Sequence, residues 1–260
     1  SYSVCRIVCI CCCRGIAALG VSLAYLANSF MVSAESGFGG GHLKLQGLLS
    51  SYADDSIFRD IQGANSHDEN GELRLKFNAD DQRWAIRADY QLIARHGDTL
   101  TVSEQLGATF LGPDVILSDD RRWWDLTHEI QHTDDYLLVQ RLDRLHLDYT
   151  GEALVVRFGR QAVSWGNGLI YNPMDVFNPF DPAAIDTEYK VGDDMLYSQY
   201  LTDSGDDWQF VQAWRRNDNG DVSRRVNSTA IKYHGFLAGG EQEYDLLLAQ
   251  HYDQWMLGLG

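Results

Sequence analysis

The sequence predicts an all-β fold, and three observations predict it. Short stretches in which apolar and polar residues alternate recur from His42 onward, and Gly, Asn and Asp punctuate them. No stretch reaches the roughly 20 apolar residues that a membrane-spanning helix needs. The segments are therefore expected to pair as an antiparallel sandwich or barrel.

The first 34 residues stand apart. They hold all five cysteines (Cys5, Cys9, Cys11, Cys12, Cys13) and no acidic residue. Arg6 and Arg14 precede the apolar run Gly15 to Ala27, and Val32-Ser33-Ala34 offers small residues for cleavage. This layout predicts a secretory signal peptide spanning 1–34; a membrane anchor would need a longer apolar run. A zinc or disulfide role for the cysteines lacks histidine partners and would sit in a removable segment. From Glu35 onward there is no cysteine, which excludes disulfides and thiolate chemistry there. Of 21 basic residues two are removed with the leader, so against 37 acidic residues the formal charge becomes 19 − 37 = −18. Such a balance argues against nucleic-acid binding and for a solvated, cation-tolerant surface.

Taken in order, Gly37 to Gly41 reads as a flexible leader, and His42 to Ser50 as a strand with Leu43, Leu45 and Leu49 opposite Lys44 and Gln46. Ser51 to Gly71 reads as a long loop. Its acidic end, Asp68-Glu69-Asn70-Gly71-Glu72, reads as a polar turn without the spacing of a calcium loop. Leu73, Leu75 and Phe77 alternate with Arg74 and Lys76, and a turn is expected over Asn78 to Gln82. Trp84, Ile86, Ala88, Tyr90 and Leu92 then alternate with Arg87, Asp89 and Gln91. The clearest hairpin follows. Leu145, Leu147 and Tyr149 alternate with Arg144, His146 and Asp148; after Thr150-Gly151, Leu154, Val156 and Phe158 alternate with Val155, Arg157 and Gly159. Further strands are expected at Met195 to Leu201, around Trp208 to Trp214, at Thr229 to Tyr233 and at Tyr244 to Leu248.

Three details favour a transmembrane barrel over a sandwich. Several strands carry ions on the face away from their apolar residues. Aromatics gather near strand ends (Trp84, Tyr149, Trp208, Trp214, Tyr252, Trp255), and tight turns alternate with long connections such as 166–194. The expected organisation is a signal peptide over 1–34 and an outer-membrane β-barrel over 35–260, incomplete at the C-terminus because the last segment stops inside a strand pattern.

One competing signal is His128-Glu129-Ile130-Gln131-His132, which matches His-Glu-x-x-His. On a helix His128 and His132 would share a face and hold zinc while Glu129 activated water. No third ligand follows at metalloprotease spacing, and a solvated loop before the hairpin is the preferred reading. Neither a cofactor site nor a catalytic residue is expected. The alternatives to a barrel remain a periplasmic or secreted β-rich ligand-binding protein and a zinc hydrolase.

From Gly159 the chain reads GRQAVSWGNGLIYNPMDVFNPFDP, a strand ending in Ser-Trp-Gly and then a proline-rich loop that a regular sheet cannot continue through. This string resembles a group of proteobacterial outer-membrane β-barrel proteins, porin-like and mostly uncharacterised. The matching positions are Gly159, Arg160, Gln161, Ser164, Trp165, Gly166, Asn172, Pro173, Asp175, Asn178 and Pro179, and the likeness covers roughly residues 140–200. The resemblance implies a strand leading into a segment near the lumen, with Arg144, His146, Asp148, Arg157 and Arg160 lining it beside Arg87 and Asp89. It also implies outer-membrane lipid and lipopolysaccharide as surroundings and a small polar or lipidic solute as cargo. Lumen charges can select solutes by sign or pair with one another to hold the wall, and pairing is the expectation for any single residue.

Overall fold

The computed structural model describes residues 35–106, 118–165, 174–177, 190–237 and 242–260. The expected signal peptide lies outside them, as do residues 166–173 and 178–189 of the proline-rich connection. The strands are β1 (Glu35–Ser51), β2 (Asn65–Asp81), β3 (Trp84–Gly97), β4 (Thr127–His132), β5 (Tyr136–Thr150), β6 (Leu154–Gln161), β7 (Asp193–Leu201), β8 (Asp207–Ala213), β9 (Ser228–Phe236), β10 (Glu243–His251) and β11 (Gln254–Leu259). Two short helices, α1 (Ile57–Gln62) and α2 (Asp98–Leu106), interrupt them. All strands join one antiparallel sheet in the order β1-β2-β3-β5-β6-β7-β8-β9-β10-β11, with β4 paired to β5 beside that path. The fold is all-β and antiparallel. The sheet does not close into a barrel: β1 pairs with β2 alone and β11 with β10 alone.

Several expected loops are strand. Gly37 to Gly41 belongs to β1, and the acidic stretch Asp68 to Glu72 belongs to β2, which pairs along its length with β1 and β3. Asn, Asp, Glu and Gly are poor strand formers, so their own preference pointed to a loop; ladders on both sides override it. Asp68 is further fixed by its carboxylate, which accepts the Thr99 amide at 2.9 Å and the Thr99 hydroxyl at 2.9 Å at the start of α2. The turn expected over 78–82 shrinks to Gln82-Arg83, because β2 runs on to Asp81 and Gln82 takes φ 47°. Between β10 and β11, Tyr252 and Asp253 adopt φ 47° and 64°, the left-handed pair that closes a two-residue hairpin.

A β-bulge reorients β5. Asp89 pairs with Arg144, yet the next residue, Tyr90, pairs with Leu142, so Asp143 is the extra residue. Before it, Leu137, Val139 and Arg141 face one side; after it, Arg144, His146 and Asp148 face that same side. Asp143 and Arg144 are thereby neighbours on one face. Gly159 in β6 meets a different demand. Its φ of 131° is left-handed, and a Cβ there would run into the Leu145 carbonyl oxygen and lie 2.8 Å from the His146 Cα. Glycine alone fits.

The two faces of the sheet are unlike. One carries Phe38, Leu43, Leu45, Phe77, Trp84, Ile86, Leu147, Leu154, Tyr200, Trp208, Ile231, Leu246, Leu248, Trp255, Leu257 and Leu259, all exposed. The other carries buried charge, including Asp68, Arg74, Arg141, Asp143, Lys232 and Asp245. The apolar core lies over β7 to β10 on this second, polar face. There Met195, Val211, Ala213, Ala230, Leu247 and Ala249 pack against Val163, Trp165, Met174, Val176 and Phe177 from the β6–β7 connection.

Candidate functional site

The polar face is built by register. Residues opposite each other across a ladder share a face, so the rows Lys76–Asp89–Arg144, Asn78–Arg87–His146 and Asp148–Arg157 all lie on it. Of the lining residues expected from sequence, six take their places there: Arg87, Asp89, Arg144, His146, Asp148 and Arg157. Each is paired. Arg87 binds Asp80 at 2.6 Å, and Asp89 stands 3.5 Å from Arg74. His146 Nδ1 and Asp148 Oδ1 are 2.7 Å apart, and Arg157 Nε donates to the same Asp148 oxygen at 2.9 Å.

Asp143 gathers the densest charge. Arg74 Nη1 donates to its Oδ2 at 2.9 Å and Arg144 Nη1 at 2.7 Å, while Arg141 Nη2 lies 3.5 Å from Oδ1. Arg144 also donates to the Lys190 carbonyl. Arg141 and Asp143 were missed from sequence, because alternation counted back from Arg144 puts both on the apolar side; Arg74 was placed opposite Leu73 and Leu75 but not singled out. The signal was available: adjacent ions in a strand, Asp143-Arg144, mark a bulge.

Arg160 departs from expectation. Its register partners are Leu145 and Asp194, not the row of His146 and Arg157, and its side chain is 0 % exposed. It lines no open surface. Arg160 Nε donates to Asp194 Oδ1 at 2.8 Å, Nη1 to Asp119 Oδ2 at 2.6 Å, and Nη2 to the Trp124 carbonyl at 2.6 Å. Asp194 in turn accepts the Trp124 amide at 2.7 Å, and Asp119 the Leu126 amide at 2.8 Å. The segment 118–126 is thus pinned across the ends of β6 and β7. Its Trp123 and Trp124 stack at 5.6 Å and meet Phe158 and Trp214.

Burial alone would raise the Asp119 carboxyl, but the Arg160 and Arg122 guanidiniums override it and hold it at about 2, below the ordinary 3.8. A depressed folded-state value means the stabilisation is complete above the unfolded value and is lost as pH falls through the folded one. The unfolding midpoint of wild type is therefore expected to exceed that of Asp119→Asn above about pH 4. Urea titrations at successive pH values should show the two converging as pH approaches 2.

The described part of the GRQ-to-NP motif is structural. Gln161 Nε2 donates to the Met195 carbonyl at 3.1 Å, tying β6 to β7. Trp165 Nε1 donates to Gln209 Oε1 at 2.6 Å, and Asp175 binds Lys190 Nζ at 2.5 Å. Burial pushes the Lys190 ammonium below its usual value, against the pull of Asp175. Ser164 is exposed. Gly166, Asn172, Pro173, Asn178 and Pro179 lie outside the described residues.

The His-Glu-x-x-His stretch is β4, neither the helix a zinc site needs nor the expected loop. His128 pairs with Gln140 and His132 with Leu137, so the two histidines point to opposite faces of the strand. Glu129 lies 3.1 Å from His132. No group of three or more metal-ligating side chains occurs among the described residues.

Comparison with protein-family models, with curated proteins and with solved structures returns no match.

Proposed function

We propose that this chain forms the wall of an outer-membrane β-barrel, with the apolar face against lipid and lipopolysaccharide and the polar face toward a water-filled lumen that passes a small polar or lipidic solute. One observation carries this reading: the sheet is inverted relative to a water-soluble protein. Large apolar side chains are exposed on every strand from β1 to β11, with Ile130 alone on β4, while buried, paired charges such as Arg74 and Asp143 lie on the opposite face. A soluble protein rarely leaves so extended an apolar surface uncovered. In lipid the same surface is the stable one.

The aromatics support it. Trp84 and Tyr149 pack at 4.9 Å, and Trp208, Tyr233 and Tyr244 follow at 4.6 and 5.7 Å, all near the tight-turn end of the sheet. Trp123, Trp124, Trp214 and Trp255 sit toward the other end. Two such belts, with leucine between them, are the pattern of girdles at two membrane interfaces. Along β3 the apolar face runs from Trp84 to Ala94; at about 3.4 Å per residue and a tilt of about 40° this spans about 26 Å, close to the hydrocarbon band of such barrels.

Within the lumen, Arg87 and Arg157 are the sequence-expected guanidiniums most open to solvent, with side chains 37 % and 33 % exposed. The test is single-channel recording of the full-length gene product in planar bilayers. Discrete conductance steps are expected, and Arg87→Gln with Arg157→Gln is expected to move the reversal potential toward cation preference by about 5–15 mV under a tenfold salt gradient. Insertion without conductance would overturn the channel reading.

A further inference from the structure

We propose that Arg141 and Thr127 form a buried oxyanion site on the polar face, taking a phosphate or carboxylate group. Arg141 is 4 % exposed, and its Nε and Nη2 atoms are buried without a hydrogen-bond partner. Those two atoms are the side-on fork of a guanidinium, the pair that grips two oxygens of one anion. Asp143 does not satisfy them. Its Oδ1 stands 3.5 Å from Nη2, beyond a good hydrogen bond, and its Oδ2 is occupied by Arg74 and Arg144.

The second observation is independent. Thr127 lies directly across the β4–β5 ladder from Arg141, on the same face, and its Oγ1 is also buried without a partner. Buried polar atoms are nearly always satisfied, so three such orphans of donor character on two facing residues point to a missing acceptor. On the other flank, across the β3–β5 ladder, stands Gln91, whose amide is turned away to Glu72 at 2.8 Å. The charged groups acting on Arg141 are Arg122 and Arg160 on one side of the balance and Asp143 and Asp119 on the other. Asp119 is already committed to Arg160 and Arg122. An oxyanion would complete the set: two oxygen contacts to the fork, one from the Thr127 hydroxyl, and a negative charge for the guanidinium whose Nε and Nη2 are without a hydrogen-bond partner. A water could meet some of these donors but would add no charge to a guanidinium whose ion pair with Asp143 stands at 3.5 Å.

The site stands whether or not the wall conducts, so its test uses the folded full-length protein in detergent with no current measured. Urea unfolding midpoints are taken in sodium phosphate, sodium acetate and sodium chloride at one pH and one ionic strength. Wild type is expected to be stabilised by phosphate, acetate or both beyond chloride; the effective anion identifies which group the site takes. Thr127→Val, which keeps the shape and removes the hydroxyl, is expected to weaken apparent binding about 10-fold, and Arg141→Lys, which removes the fork, about 100-fold. If Arg141→Lys does not fold, Thr127→Val carries the comparison. Equal midpoints for wild type in all three salts would overturn the proposal. So would stabilisation that Thr127→Val retains in full, since the anion would then sit elsewhere.

Discussion

Leu248→Arg is expected to destabilise the protein by about 2–4 kcal/mol in lipid, although the side chain it replaces is 46 % exposed. Leu248 lies on the apolar face of β10, between the Tyr233–Tyr244 aromatics at one end and Trp255 at the other. There a guanidinium would have to leave water for hydrocarbon. In a soluble sheet the same exposed position would tolerate arginine within about 0.5 kcal/mol. Urea unfolding in lipid vesicles separates the two, with Lys232 as a useful contrast: it occupies the next strand's polar face, paired to Asp245 at 3.0 Å.

Arg160→Met is expected to cost about 3–5 kcal/mol and to remove most folded material from the membrane, for a different reason. Removing the guanidinium leaves Asp119 and Asp194 buried with no cation of the same geometry, and it frees the Trp124 carbonyl. The loss is electrostatic rather than steric, so discharging the partners should restore it. Arg160→Met combined with Asp119→Asn and Asp194→Asn is expected to recover folded yield substantially. A triple variant no better than the single one would show that Arg160 matters by packing instead.

Those two residues also mark how far the sequence could be read. Leu248 belongs to a plain alternation, and wherever alternation was unbroken, as in the β5–β6 hairpin beyond Arg144, both the strand and its faces were legible. Arg160 was not, because its burial depends on Asp119 and Trp124, about forty residues earlier in a segment with no regular pattern. β2 failed differently. Its polar first half reads as loop by composition, and only its two neighbours make it a strand. The densest charge, around Asp143, was hidden by one inserted residue, which shifted the parity of everything before it. Of the candidate site, the place of single charged residues on the polar face was therefore readable, and the network joining Arg74, Arg141 and Asp143 was not.

What joins these observations is the claim that the exposed apolar face lies against lipid. The most direct test is electrophoretic: express the full-length gene product in a Gram-negative host, isolate the outer membrane, and compare unheated with boiled samples on a denaturing gel. The expected result is a band in that fraction that migrates faster unheated than boiled, the mark of a barrel that resists detergent until heated. A protein released in the soluble fraction, with one mobility before and after boiling, would contradict it.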